Sequence, residues 1–248
     1  SVWLSRYSNL IIVNSNSGYE YHLANGYPSD QMVVIPNGID TDLFKPDLLA
    51  RQHQRTAWGI DEGATLVGIV GRLDPMKDHK TFLQAVSKVL STRNDILFVC
   101  VGDGDINYLE DLQQYSEALG LSEKIRWQPG LVDIESAYNA LDVLVSTSAF
   151  GEGFSNTLAE AMSCGVRCVA TDVGDARRIV IDTGIVVQAG DSSAIADGIL
   201  TILKCDIEEN AKYKKMAIDH IRDNYSIARL VSNSLDEFNR ILPINSDH

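Results

Sequence analysis

The chain has 248 residues, 45% hydrophobic and 22% charged, enough to bury a sizeable core as one large domain or two small ones. Its formal charge of −13 and pI of about 4.7 argue against a nucleic-acid partner, so any anionic ligand must be held by locally placed cations. No apolar run reaches the ~20 residues of a membrane span and Ser1 opens no signal-peptide pattern, so the chain reads as soluble.

Residues 10–13 form a short apolar strand, and 14–17 offer helix caps before a helix over 19–25 that Gly26-Tyr27-Pro28 ends. A second strand, 32–35, runs into Pro36-Asn37-Gly38-Ile39-Asp40 and on to Phe44 and Pro46; read alone it is an ordinary strand and Asn-Gly turn. Residues 47–59 are polar and helical. Strands at 66–70, 96–101, 125–127, 143–146, 168–171 and 184–187 then alternate with helices. The helices are expected at 79–92, 108–119, 134–140, near 157–163 and 194–203. The helix over 79–92 has Phe82, Leu83, Val86, Val89 and Leu90 on one face, and Asp78 can cap it before His79. Six strands with intervening helices predict an α/β fold with a doubly wound parallel sheet covered on both faces. Residues 207–241 are helical, with a break expected near Asp223-Asn224.

Cys100, Cys164, Cys168 and Cys205 fall in strands or near helix ends without a C-x-x-C pair. That favours reduced structural thiols in a cytoplasmic protein over disulfides or zinc, and no metal site is expected. His22, His53, His220 and His248 read as surface residues. Ligands of an open parallel sheet bind beyond the carboxyl ends of its strands, so the loops there are where chemistry is to be sought. After the first comes Gly71-Arg72-Leu73-Asp74-Pro75-Met76-Lys77, after the second Gly102-Asp103-Gly104, after the third Gly130-Leu131-Val132. Asn107 stands where a dinucleotide fingerprint needs its third glycine, and no Walker loop occurs. Ser146 and Ser148 read as structural caps, with no histidine placed to activate either.

The richest stretch is 150–171, a loop, a short helix and a strand, with Glu152 and Glu160 separated by seven residues. Asn156 or Thr157 can cap the helix, Leu158, Ala161 and Met162 form its inner face, and Gly165 ends it. A helix opening from a glycine-containing loop presents free N–H groups and a positive dipole end suited to phosphate. Thr157 and Glu160 also fit S/T-x-x-E, so Glu160 could close a capping box and Glu152 could be a solvated loop carboxylate.

The run from Glu152 through Glu160-Ala161-Met162, with Cys164-Gly165 and Val169-Ala170-Thr171, resembles the E-x7-E signature of family 4 glycosyltransferases of the GT-B fold. Arg167 departs from that pattern, which generally has proline there. The resemblance implies that Glu152 lies against a donor sugar and Glu160 holds a nucleotide ribose. The segment Val34-Ile35-Pro36-Asn37-Gly38-Ile39-Asp40 is similar to the family's interdomain connection. Gly71, Arg72 and Lys77 resemble its G-R-L…K element, in which Arg and Lys hold the donor diphosphate; the alternative for each is a solvated surface cation. Gly102 and Gly104 match its glycine-bearing turn, Val132 its base-contacting loop, and Phe154, Ser155, Asn156 and Thr157 its donor-binding motif.

The resemblance covers only the later half of a two-domain enzyme. It implies residues 1–46 as the end of an N-terminal domain and linker, 47–223 as a donor-binding Rossmann-like domain, and 224–248 as a closing helix. The implied partners are a nucleoside diphosphate sugar, a saccharide or lipid-linked acceptor, and the N-terminal domain. The implied activity is metal-free, cofactor-free hexosyl transfer with retained configuration, by a cytoplasmic protein that could lie peripherally on the inner membrane. Two other readings remain, a GT-B nucleotide-sugar epimerase and a non-catalytic nucleotide-sugar binding module.

Overall fold

The computed structural model describes residues 2–241, so His248 and the end of the expected closing segment lie outside it. A first turn of helix, α1 (Val2–Ser5), leads to a two-stranded parallel sheet. Its strands β1 (Ile11–Val13) and β2 (Met32–Val34) are connected through α2 (Asn16–Ala24). A connecting segment reaches α3 (Leu48–Ala57), and a six-stranded parallel sheet follows.

Its strands are β3 (Thr65–Val70), β4 (Ile96–Val101), β5 (Ile125–Gln128), β6 (Val143–Ser146), β7 (Arg167–Thr171) and β8 (Ile185–Val187). They lie in the order β5-β4-β3-β6-β7-β8, all parallel. The chain starts in the middle, winds outward, then returns to wind the other way. The connecting helices are α4 (His79–Thr92), α5 (Ile106–Ala118), α6 (Ile134–Ala140), α7 (Asn156–Ser163), α8 (Ala176–Val180) and α9 (Ser192–Lys204). Helix α10 (Ile207–Tyr225) and α11 (Ile227–Ile241) complete the described chain; the break falls at Ser226, two residues beyond the expected place, because α10 stays helical through Tyr225.

The two-residue period of the strands divides the core. On β3, Leu66 and Val70 face α6, α7 and α10, while Val67 and Ile69 face α4, α5 and α9. The other strands divide likewise: Leu144, Cys168 and Ala170 join the first face, and Phe98, Cys100, Val145 and Val169 the second. Phe82, Leu83, Val86 and Val89 of α4 are fully buried, as the helical spacing predicts. Each such side chain contributes about 1.5–3 kcal/mol by leaving water. The cysteines are free thiols, and burial raises the pKa of Cys100, Cys164 and Cys168.

Helix α3 is fixed to the sheet by one buried cation. Arg55, 1% exposed, donates to the carbonyls of Ala140, Asp61, Glu62 and Ala64 and pairs with Asp142 at 2.9 Å. Asp142 also accepts from Arg51 and from the Leu66 backbone N–H, so it ties α3 to the start of β3. Nothing in the sequence marks this pair apart from other charges. Arg55→Ala is expected to cost about 3 kcal/mol in denaturant unfolding, because it strands four carbonyls and part of the Asp142 charge. A loss under 1 kcal/mol would show that the pair is dispensable.

Candidate active site

The loops that follow β3 and β6 diverge at the point where the winding reverses, and a groove opens between them. Glycine at two positions lets the first pair of loops close up. A Cβ on Gly102 would sit 1.9 Å from the Gly71 carbonyl, and one on Gly104 2.3 Å from that of Leu73. Backbone hydrogen bonds from Gly71 to Val101 and from Leu73 to Asp103 hold the approach. The groove, about 440 Å³, is lined by Gly71, Arg72, Gly102, Gly130, Leu131, Ile134, Tyr138 and Thr157.

Helix α7 opens onto this groove without a cap. Asp47, Asp78, Asp105, Asp191 and Asp206 each accept a backbone N–H at the start of α3, α4, α5, α9 and α10. Ser155 stands at the same place before α7, yet its side chain makes no cap bond, and its buried Oγ has no partner among the described residues. The first N–H groups and the positive end of the helix are left available to an anion. The helix starts at Asn156, one residue ahead of Thr157, so neither residue serves as the expected cap. Asn156 instead accepts from the Asn37 side-chain amide at 2.9 Å. Nor does Glu160 close a capping box. Its Oε2 accepts the Tyr138 hydroxyl at 2.6 Å; among the described residues nothing donates to Oε1.

Beside the groove, Lys77 pairs with Glu152, both side chains largely buried. Ser148 donates to the same Glu152 Oε1 at 2.9 Å. The Thr147 hydroxyl donates to the Lys77 carbonyl at 2.7 Å and Ala149 N–H to the Met76 carbonyl, so the β6 loop carries the β3 loop on its back. On the far side of Glu152 lies a cavity of about 580 Å³ lined by Asn14, Ser15, Gly18, Tyr21, Gly153 and Gly174. Asp175 holds this junction. Its carboxylate accepts the N–H groups of Asn16 and Ser17 at the start of α2, and its own N–H donates to the Gly153 carbonyl.

The sequence matches the family described as glycosyl transferases group 1 over residues 50–220. The chain belongs to that family. Among curated proteins it is 33% identical to a phosphatidyl-myo-inositol mannosyltransferase of Mycobacterium leprae over 180 residues, 71% of this chain and 45% of that one. It is 32% identical to a D-inositol 3-phosphate glycosyltransferase of Mycobacterium ulcerans over 174 residues, 67% of this chain and 37% of that one. The chain spans about half the length of the curated relatives it matches. The fold is that of HepE from Anabaena, solved with UDP and glucose, at 24% identity and a TM-score of 0.88 over 96% of this chain and 65% of that one. It is also like the C-terminal domain of the group 1 transferase LpcC from Francisella tularensis, at 29% identity and a TM-score of 0.67 over 77% of this chain and all of that one.

Within this group 1 fold, the structure gathers Gly71, Arg72, Gly102 and Thr157 around one groove, with Lys77 and Glu152 at its side and Glu160 behind Tyr138. Val132 is fully exposed, and Leu131 and Ile134 supply the apolar lining of the groove. Phe154 is buried in the core, edge-on to Tyr225 with ring centroids 5.1 Å apart, so it anchors the Glu152 loop to α10. Gly102 and Gly104 are required by the loop packing itself. Arg167, where the family generally has proline, leaves β7 intact: the strand starts at this residue, which pairs with Val143.

Sequence reasoning missed Tyr138 and Asp175 and took Ser148 for a cap, since a hydroxyl or carboxylate gains its partner only when loops far apart in the chain meet. His79 begins α4 behind its Asp78 cap, as expected, but is buried, and burial lowers its pKa to about 4. His22 and His220 are half-buried rather than surface residues. Among the described residues no three His, Cys, Asp or Glu side chains are grouped to hold a metal ion, and no helix is long and apolar enough to cross a membrane.

Burial raises the Glu160 pKa above its ordinary 4.5, and the Tyr138 hydrogen bond only partly opposes this. The folded state binds that proton more tightly than the unfolded chain, so ionising Glu160 lowers stability as the pH climbs from about 4.5. Glu160→Gln is expected to unfold at an equal or higher temperature than the parent at pH 7, with the difference closing below pH 4.5; a clear loss of Tm at pH 7 would contradict it. Lys77→Ala leaves the Glu152 carboxylate without its cation and is expected to cost about 1–3 kcal/mol. Adding Glu152→Gln should return part of that loss in a double-mutant cycle, and strict additivity would refute the coupling.

Proposed function

We propose that this chain is the donor-binding part of a glycosyltransferase that moves a hexosyl group from a nucleoside diphosphate sugar to an acceptor hydroxyl with retention of configuration. The observation that carries the reading is the uncapped start of α7, which opens onto a groove shared with Arg72 and flanked by Lys77. The relatives named as mannosyltransferase and inositol-phosphate glycosyltransferase support it. The base would lie along Leu131 and Ile134, the ribose hydroxyls would donate to Glu160 Oε1, and the diphosphate would lie across the α7 N–H groups. The sugar would reach Glu152 and the second cavity.

The chemical demand is a leaving diphosphate that gains negative charge as the glycosidic bond breaks. Arg72, 68% exposed and held by Asp74 only at 3.6 Å, can turn its planar guanidinium onto it. Lys77 adds a compact charge, and the α7 N–H groups add fixed dipoles that need no reorganisation. Glu152, oriented by Ser148 and Lys77, would hold the sugar. The acceptor's proton would pass to the leaving phosphate, since retention brings both to one face of the sugar. No metal or cofactor has a part in this scheme.

We infer further that residues 1–46 belong with an N-terminal domain supplied by the rest of the protein, 47–223 with the donor domain, and 224–248 with a closing helix. Ile227, Val231, Leu235 and Phe238 recur at helical spacing along α11 and stay exposed, as do Trp3, Leu4 and Tyr7. That domain would cover these faces and carry the acceptor site. The protein would act in the cytoplasm, at the inner membrane if its acceptor is lipid-linked.

Calorimetric titration of the chain with UDP, GDP and ADP is expected to show binding by one well above the others, lost in Glu160→Ala. In the full-length protein Arg72→Ala is expected to lower kcat/KM about 5- to 150-fold, equivalent to about 1–3 kcal/mol of transition-state stabilisation. Nucleotide binding without sugar transfer by the full-length protein would establish a binding module. Unchanged turnover in Arg72→Ala would remove that residue from the scheme.

A further inference from the structure

The edge of the sheet opposite the groove carries a second polar cavity. Strands β3, β6 and β7 start there, and the ends of α9 and α10 close over them. It measures about 250 Å³ and is lined by Arg51, Thr65, Asp142, Cys205, Asn210 and Lys214. A neighbouring hollow shares Arg51, Asp142 and Lys214.

Arg51 and Lys214 line these hollows together with the carboxylates of Asp142, Glu62 and Asp47, the last of which caps α3; buried Arg55 pairs with Asp142, and buried Arg167 adjoins through Cys205. Arg51 and Arg55 are occupied by Asp142 and by backbone carbonyls. Arg167 lies 4.3 Å from the Tyr213 ring centroid and donates through Nε to the Thr183 carbonyl and through Nη1 to Cys205 Sγ, leaving Nη2 open among the described residues. Lys214 differs from all three. It is half-buried, and among the described residues no carboxylate lies within ion-pair distance of its Nζ and no acceptor meets it.

Burial lowers the Lys214 pKa; Asp142 opposes this, while Arg51 and Arg167 add to it. Lys214 thus sits half-buried beside two guanidinium groups with no ion-pair partner among the described residues, and an incoming anion would relieve that repulsion. The Asn210 amide lines the same cavity with its buried Oδ1 unpartnered, and rotating the amide by half a turn presents Nδ2 instead.

We propose that this cavity binds a small phosphate or phosphate-monoester dianion through Lys214 Nζ, Arg167 Nη2 and the Asn210 amide, at a site separate from the α7 groove. The bound ion would tie α10 to the start of β7. Helix α10 also carries Tyr225, which packs edge-on against Phe154 two residues from Glu152, so one helix spans both sites.

The test is the Tm of the chain during titration with sodium phosphate and, separately, with a hexose 6-phosphate, ionic strength being held constant with KCl. The parent is compared with Lys214→Gln, Lys214→Met and the double variant Arg72→Ala/Lys77→Ala. The expected result is a saturable rise in the parent, weakened at least tenfold in apparent affinity by either Lys214 substitution and kept in the Arg72/Lys77 double variant. A stronger response to the sugar phosphate assigns a phosphorylated metabolite, and a stronger response to phosphate assigns the free ion. Stabilisation that survives Lys214→Gln and disappears in the double variant puts the anion in the α7 groove and overturns the site. So does the absence of any rise in the parent, or an equal rise in every variant.

Discussion

A parallel sheet delivers the loop after every strand to the same edge, and the loops must fit there without blocking one another. Here the outward winding to β5 and the return to β8 part the loops between β3 and β6. The groove exists because of that reversal. The loops after β3 and β4 come within backbone contact where Gly102 and Gly104 lack a Cβ, so those glycines are a packing requirement of the fold before they are anything else.

The polar groups at this edge are arranged against the interest of local stability. Five helices around the sheet begin with an aspartate that accepts one or two of their first N–H groups, while α7 begins with Ser155, whose Oγ has no partner among the described residues. Glu160 is held in a setting that raises its pKa, although the S/T-x-x-E pattern would let it cap its own helix. Glu152 is largely buried, with its carboxylate against Lys77 and Ser148. Each departure leaves a donor, an acceptor or a charge near this edge, which is what a charged ligand requires and what folding by itself would avoid.

The two small strands and α2 join this arrangement through a single buried carboxylate. Asp175 does not cap its own helix, α8; it caps α2, some 160 residues away in sequence, and its N–H grips the Gly153 carbonyl. The first segment is therefore joined to the Glu152 loop by a short hydrogen-bonded chain. Phe154 and Tyr225 make the corresponding link on the α10 side. The loop carrying Glu152 is thus clamped from both flanks, with its carboxylate against Lys77 and Ser148.

The sequence by itself determined the α/β class, the six strands and nearly every helix, because strand and helix periods and buried apolar runs are local patterns that the sheet only has to ratify. It also located the Glu152 to Glu160 motif and the loops at the strand ends. What only the tertiary structure decided was partnership. Val132 faces water and Phe154 enters the core because of how their loops pack, which residue type alone does not disclose. Tyr138 and Glu160 meet across 22 residues, Asn37 and Asn156 across 119, and Asp175 and Asn16 across 159. Hydrogen bonds and ion pairs act over a few ångströms in space, whatever the distance along the chain, so their partners become legible only when the chain has folded.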